Sequence, residues 1–202
     1  MKKQFGSQNG FSLLELILGA AISVILVVIL TQFVVIITNI QKYLDAKLPT
    51  QADVEQALQT AVVEIRSIGQ SSAGAFPIEA ASSTTFTFFS DIDRDGLMEH
   101  VRYTIASGTL QKGVIRPVGN PITYPSSSET VSVPVTNLLG SQSSFAYYDT
   151  NYTGTGAPLV YPVDVTAIRS VMVMFTADIS TTTTPRSITL STLVTIRNLK
   201  SN

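Results

Sequence analysis

The sequence predicts an α+β chain: one long N-terminal helix, then an antiparallel sheet against which the later part of that helix packs. Three observations carry this. The first is an apolar run in which Leu16 to Leu30 holds no charge and only Ser23 as a polar residue, resuming from Phe33 to Ile37. The second is an amphipathic stripe, Val54, Leu58, Ala61, Val62, Ile65 and Ile68, at three- and four-residue spacing. The third is the change after Gly69 to short, β-rich segments separated by Gly, Pro, Ser and Asn.

The apolar run is long enough to cross a bilayer, for which about 20 residues suffice. Lys2 and Lys3 precede it, which predicts a cytoplasmic N-terminus and an extracytoplasmic remainder. It is longer than the apolar core of a cleaved secretory signal, and no small-residue cleavage site follows it; Gln41, Lys42 and Tyr43 come next. Glu15 sits near its beginning. A carboxylate within an apolar membrane segment costs roughly 2.5–3.5 kcal/mol on the mildest scales, so it marks a functional position.

Helical pattern continues from Asn39 to Leu48 and from Thr50 to Ile68, with Pro49 predicting a kink between them. Thr50 or Asp53 is a candidate N-cap for the second stretch and Gly69 a candidate C-cap. Strands are expected at Thr84–Phe89, Glu99–Ile105, Leu110–Ile115, Val131–Val135, Phe145–Tyr148, Ile168–Ala177 and Ser187–Arg197, with an exposed polar tip at Thr181–Pro185. The aromatic residues Phe86, Phe88, Phe89, Tyr103, Phe145, Tyr147 and Tyr148 read as core and cross-strand pairs rather than a binding platform.

Composition narrows function. Of 202 residues, 13% are charged, against about 25% for typical soluble domains, and the net charge is −1. There is no basic stripe with interleaved aromatics, so nucleic-acid binding is not predicted. The chain has no cysteine and one histidine, His100, which removes thiolate metal sites and leaves Ser-His or Cys-His catalysis almost nothing to draw on. No phosphate loop or supported pair of catalytic carboxylates is found, and the chain is expected not to be an enzyme.

Gly10-Phe11-Ser12-Leu13-Leu14-Glu15, at the junction of a short basic leader and the apolar run, resembles the processing site of type IV prepilins and pseudopilins. The resemblance implies a leader of residues 1–10, cut after Gly10 by a prepilin peptidase, and Phe11 as the new, usually N-methylated, terminus. It implies a pilin-like fold: a long, kinked transmembrane helix with residues 11–38 as the membrane and assembly half, 39–69 as the amphipathic half, and a sheet domain at 70–202. It also implies that Phe11 and Glu15 serve subunit assembly, the carboxylate pairing with a neighbour's N-terminal ammonium where water is excluded.

Phe145-x-Tyr147-Tyr148-Asp149, Ile168-Arg169-x-Val171 and Val194-Thr195-Ile196-Arg197-Asn198 are similar to segments of J-type minor pseudopilins and W-type minor pilins. The implied partners are the prepilin peptidase, other pilin or pseudopilin subunits, and the cytoplasmic membrane with its assembly platform. The machine is left open among a type II secretion pseudopilus, a DNA-uptake fibre and a type IV pilus. The alternative reading is a signal-anchored extracytoplasmic β-rich binding domain that never polymerises.

Asp91-Ile-Asp93-Arg-Asp95-Gly96-Leu-Met-Glu99 carries the first half of a calcium-loop pattern, with oxygen ligands at alternate positions and Gly96 at the sharp turn. Arg102 stands where that pattern has a bidentate Glu, and Glu99 is the candidate substitute. Asp91, Asp93, Asp95 and Glu99 are thus candidate ligands for a calcium ion. The same residues also read as an acidic Asp-Gly hairpin turn, favoured for backbone reasons alone.

Overall fold

The computed structural model describes residues 12–179 and 186–199, with backbone alone over 42–50. The expected polar tip at 181–185 lies outside the described residues. The chain divides into two compact units, residues 1–45 and 46–202, and one helix assignment, α1 (Leu13–Arg66), runs through both.

In the first unit, Leu13–Gln41 is long and apolar enough to cross a membrane, and none of it is buried within the chain. At a rise of about 1.5 Å per residue it spans about 43 Å, more than the roughly 30 Å hydrocarbon core. Its hydroxyl groups bond to the helix's own carbonyls: Ser23 donates to Gly19 O at 2.8 Å, Thr31 to Val28 O at 2.8 Å and Thr38 to Val34 O at 2.7 Å. Such back-bonding satisfies polar side chains where water is absent.

Helix assignment continues through Pro49, so no break separates two helices and no cap is needed at Thr50 or Asp53. In the second unit Val54, Ala57, Ala61 and Ile65 are buried, while Leu58 and Val62 pack against the core from its margin. The helix ends at Arg66, three residues before the predicted limit. Gly69 is not its C-cap: Ile68 bridges Ser90, and the Gly69 N–H donates to Phe89 O at 3.0 Å. A Cβ at Gly69 would stand 2.9 Å from Met98 Cε, so the absence of a side chain serves close packing there.

Two sheets form where one was expected. β1 (Ile78–Ala81), β2 (Thr85–Ser90), β3 (Glu99–Ala106), β4 (Thr109–Ile115) and β5 (Thr130–Val135) make a five-stranded antiparallel meander in that order. β6 (Ser144–Tyr148), β7 (Ser170–Asp178) and β8 (Ser187–Thr195) make a three-stranded one. Alternation along a strand reports its buried face but not its neighbour, which is why one sheet and two look alike in sequence. β1 is an unpredicted four-residue edge strand with a register shift at Ile78/Ala80, and the last strand stops at Thr195, leaving Arg197–Leu199 as a 3-10 turn. Residues of α1 and of both sheets share one core, which includes all the predicted core aromatics except Phe89 and Tyr148, themselves buried elsewhere.

One charged group sits inside the helix–sheet contact. Glu64, 6% exposed, accepts a hydrogen bond from Tyr103 Oη at 2.6 Å and another from Lys112 Nζ. Tyr103 and Lys112 are direct cross-strand partners on β3 and β4, so one helix carboxylate is held by one rung of the sheet. The Glu64 carbonyl also accepts from Ser90 Oγ at 2.9 Å. Burial, then the Glu64 charge, pushes the Tyr103 hydroxyl well above its ordinary range, keeping it a proton donor to this carboxylate.

Tyr103→Phe is expected to destabilise the second unit by about 1.5–3 kcal/mol, the loss of one bond to a charged acceptor. Glu64→Ala is expected to cost about 3–5 kcal/mol, because Lys112 then loses its buried partner. Urea unfolding of both variants with unchanged m-values checks the order.

Candidate functional site

Two regions carry the predicted site residues. At the head of α1, Gly10 and Phe11 lie outside the described residues, so the processing position is not described structurally. Glu15 lies in the first turn and is exposed. Its N–H meets Ser12 O at 3.1 Å and Ser12 Oγ at 3.3 Å. Ser12, just before the first helical residue, therefore acts as N-cap, and Glu15 is the third helical residue. Ser-x-x-Glu at this place is the sequence of a capping box, and an acidic group here also complements the positive end of the helix dipole. The backbone of Glu15 is thereby held in a capped first turn, and the apolar surface begins beside it: Leu13 is 79% and Leu14 77% exposed.

The aspartate turn joins β2 to β3. Asp91, Asp93 and Glu99 each offer an oxygen within 4.8 Å of the others. Asp95 is the exception among the four predicted ligands: it is not in this group, and its Oδ1 accepts the Leu97 N–H at 2.8 Å. Turn geometry claims that carboxylate because Arg94 and Gly96 both adopt positive φ, 64° and 89°. Asp91 Oδ2 accepts from Gly96 N at 3.1 Å, while its buried Oδ1 has no hydrogen-bond partner. Glu99 is 1% exposed and accepts from Ile92 N at 2.9 Å.

Three converging carboxylate oxygens match the preference of a hard cation such as calcium, though such an ion takes 6–8 oxygen ligands and three residues supply only part of that shell. The turn also has compensation of its own. Arg116 lies 3.6 Å from Asp93, and Arg66, Arg94 and Arg197 line a cleft of about 820 Å³ with Asp91. Burial first, and then the charges of Asp93 and Asp95, raise the Glu99 carboxyl above its usual 4.5, favouring a bound proton. His100 stands outside this group; its Nε2 meets Glu79, tying β3 to the edge strand β1.

The sequence reading did not include Glu64 or the arginine cleft. Glu64 was detectable as a charge interrupting the stripe between Ala61 and Ile68. The cleft was not, because its arginines come from a helix end, a turn and a C-terminal segment far apart in sequence.

Comparison with protein-family models, with curated proteins and with solved structures found no match to this chain.

The raised Glu99 carboxyl gives a signed pH dependence. Its folded state holds a proton that the unfolded chain releases near 4.5, so its stabilising contribution is complete below that value. The contribution is lost as pH rises through the higher folded value. Glu99→Gln is expected to flatten that part of the stability profile between acid and neutral pH. An unchanged slope in thermal melts of the variant would assign the dependence to another group.

Proposed function

We propose that this chain is a structural subunit of a type IV pilin-like filament, a minor pilin or pseudopilin, assembled through α1 after removal of residues 1–10. The observation that carries the reading is Gly10-Phe11 followed by Glu15 at the head of an apolar helix that the chain itself leaves uncovered. The work proposed is mechanical and associative, not catalytic.

The physical logic has two parts. Before assembly, the bilayer covers Leu13–Gln41, with the N-terminus in the cytoplasm and the sheets outside. In the filament, helices of neighbouring subunits replace lipid, so apolar surface leaves the membrane without being returned to water. Glu15 supplies register: within that helix bundle its carboxylate pairs with the free ammonium of Phe11 on a neighbour, and each charge offsets the desolvation of the other. Ser12 supports this by holding Glu15 in a capped first turn. The architecture of a long apolar helix followed by antiparallel sheets is compatible with this reading, and cleavage after Gly10 is what separates it from a signal-anchored extracytoplasmic binding domain that never polymerises.

N-terminal sequencing and intact mass, with and without a co-expressed prepilin peptidase, test processing directly. A chain starting at Phe11 and carrying one methyl group is expected only with the peptidase; retention of Met1 in its presence would falsify the reading. Glu15→Ala is expected to be cut normally but to be missing from sheared filaments, since docking and cleavage use different atoms.

A further inference from the structure

An edge strand presents a row of unpaired N–H and C=O groups, and folded proteins blunt such edges with short length, charge, proline or a bulge. The two sheets of the second unit have four edges: β1, β5, β6 and β8. Three are guarded. β1 has four residues, carries Glu79 and breaks register between Ile78 and Ala80. β5 carries Pro134, and its pairing with β4 shifts between Leu110 and Lys112. On β6, Phe145 N–H donates to Ser83 O, while Phe145 O accepts from Tyr161 Oη and Tyr147 O from Leu159 N–H.

β8 has none of these devices. Its nine residues hold no charge, proline or glycine, and all pair with β7 without a bulge. Ile179 N–H donates to Arg186 O and Ile196 N–H to Arg169 O, which sets the phase of the ladder. Even-numbered residues of β8 bond to β7, and odd-numbered residues turn their N–H and C=O outward. Those odd residues, Ser187, Thr189, Ser191, Leu193 and Thr195, are all exposed, and their outward backbone groups have no partner among the described residues. On the other face of the strand Ile188 and Leu190 pack against the core yet stay half-buried, so apolar burial is incomplete at this edge.

We infer that β8 pairs antiparallel with β8 of a second copy of this chain, joining the two three-stranded sheets edge to edge. The hydrogen-bond phase matches itself. With Ser191, the middle residue of the strand, on a two-fold axis, Ser187 faces Thr195, Thr189 faces Leu193 and Ser191 faces its own copy. All of these are outward-turned residues, so every outward N–H meets an outward C=O and none overhangs. The other face then sets Ile188 against Val194 and Leu190 against Thr192, covering the half-buried pair. A neutral edge meets its copy without like-charge repulsion, and it offers no charge by which a charged foreign strand would be chosen. The chain's other edges are guarded, so a second copy presents β8 and the contact is isologous and closed. This goes beyond the filament reading and does not rest on it.

Cysteine cross-linking reads this register, and the chain has no native cysteine to interfere. Full-length variants are oxidised in membranes. Residues opposed in a hydrogen-bonded antiparallel pair have Cα atoms about 5.5 Å apart, within disulfide reach. Ser191→Cys is therefore expected to form a homodimer. Thr189→Cys alone is expected to give about tenfold less, since its two copies stand about 14 Å apart in this register. Co-expressed with Leu193→Cys, it is expected to give a mixed dimer. Adding Thr189→Pro to Ser191→Cys removes an outward N–H that no bond within the chain uses. It is expected to cut the homodimer about tenfold while the variant melts like the parent. Equal yields from Ser191→Cys and Thr189→Cys would mark chance collision in the membrane and overturn the pairing. So would the absence of any dimer from variants that melt like the parent. A Ser191→Cys adduct with another protein in place of the homodimer also overturns it, by making a foreign strand the occupant. Retention of Met1 together with the expected register pattern removes the filament reading and leaves this contact standing.

Discussion

The constraint on which everything else depends is the uncovered apolar surface of Leu13–Gln41. Fully burying a Val, Leu, Ile or Phe side chain is worth about 1.5–3 kcal/mol, and this stretch holds a long series of them with none buried inside the chain. Such a surface must be covered by lipid or by protein. Glu15 at its head is the one charged group in the run; under the proposed reading it favours protein, because a carboxylate gains from a fixed cation and gains nothing from a hydrocarbon tail.

The second unit solves a separate problem, fastening a helix to a sheet so that force on one is felt by the other. Apolar packing by Val54, Ala57, Ala61 and Ile65 supplies burial, but such contacts can slide. Glu64 cannot slide, because Tyr103 and Lys112 hold its two oxygens from one rung of β3 and β4. The Ser67, Ser90 and Glu64 carbonyl contacts lock the same turn. Under the proposed reading, a subunit pulled through its helix carries its sheets along by this polar pin as well as by its core.

The aspartate turn shows how a motif can be half fulfilled. Alternate acidic residues do converge, but Asp95 is taken by the backbone of its own turn. Arg116 stands 3.6 Å from Asp93, and Arg66, Arg94 and Arg197 line the same cleft as Asp91 without forming an ion pair among the described residues. Burial and the charges of Asp93 and Asp95 raise the Glu99 carboxyl above its usual range, and the oxygens of Asp91, Asp93 and Glu99 stay within 4.8 Å of one another.

Local pattern determined much of this chain. The apolar run, the 3.6-residue stripe, the positions of seven strands and the placement of the aromatic core follow from side-chain periodicity, which depends on backbone geometry alone. The junction Gly10-Phe11 and the isolated Glu15 were likewise visible, since a charge stands out against an apolar run. Tertiary structure decided what periodicity does not encode. It split the strands between two sheets, because partner choice depends on loops rather than on alternation. It ended α1 at Arg66, because Ile68 and Gly69 are taken up by β2. It turned Glu64 from an apparent flaw in the stripe into the helix anchor, separated Asp95 from its fellow carboxylates, and gathered Arg66, Arg94 and Arg197 around one cleft. Each of these is a meeting of residues distant in sequence, and only the folded chain brings them within reach of one another.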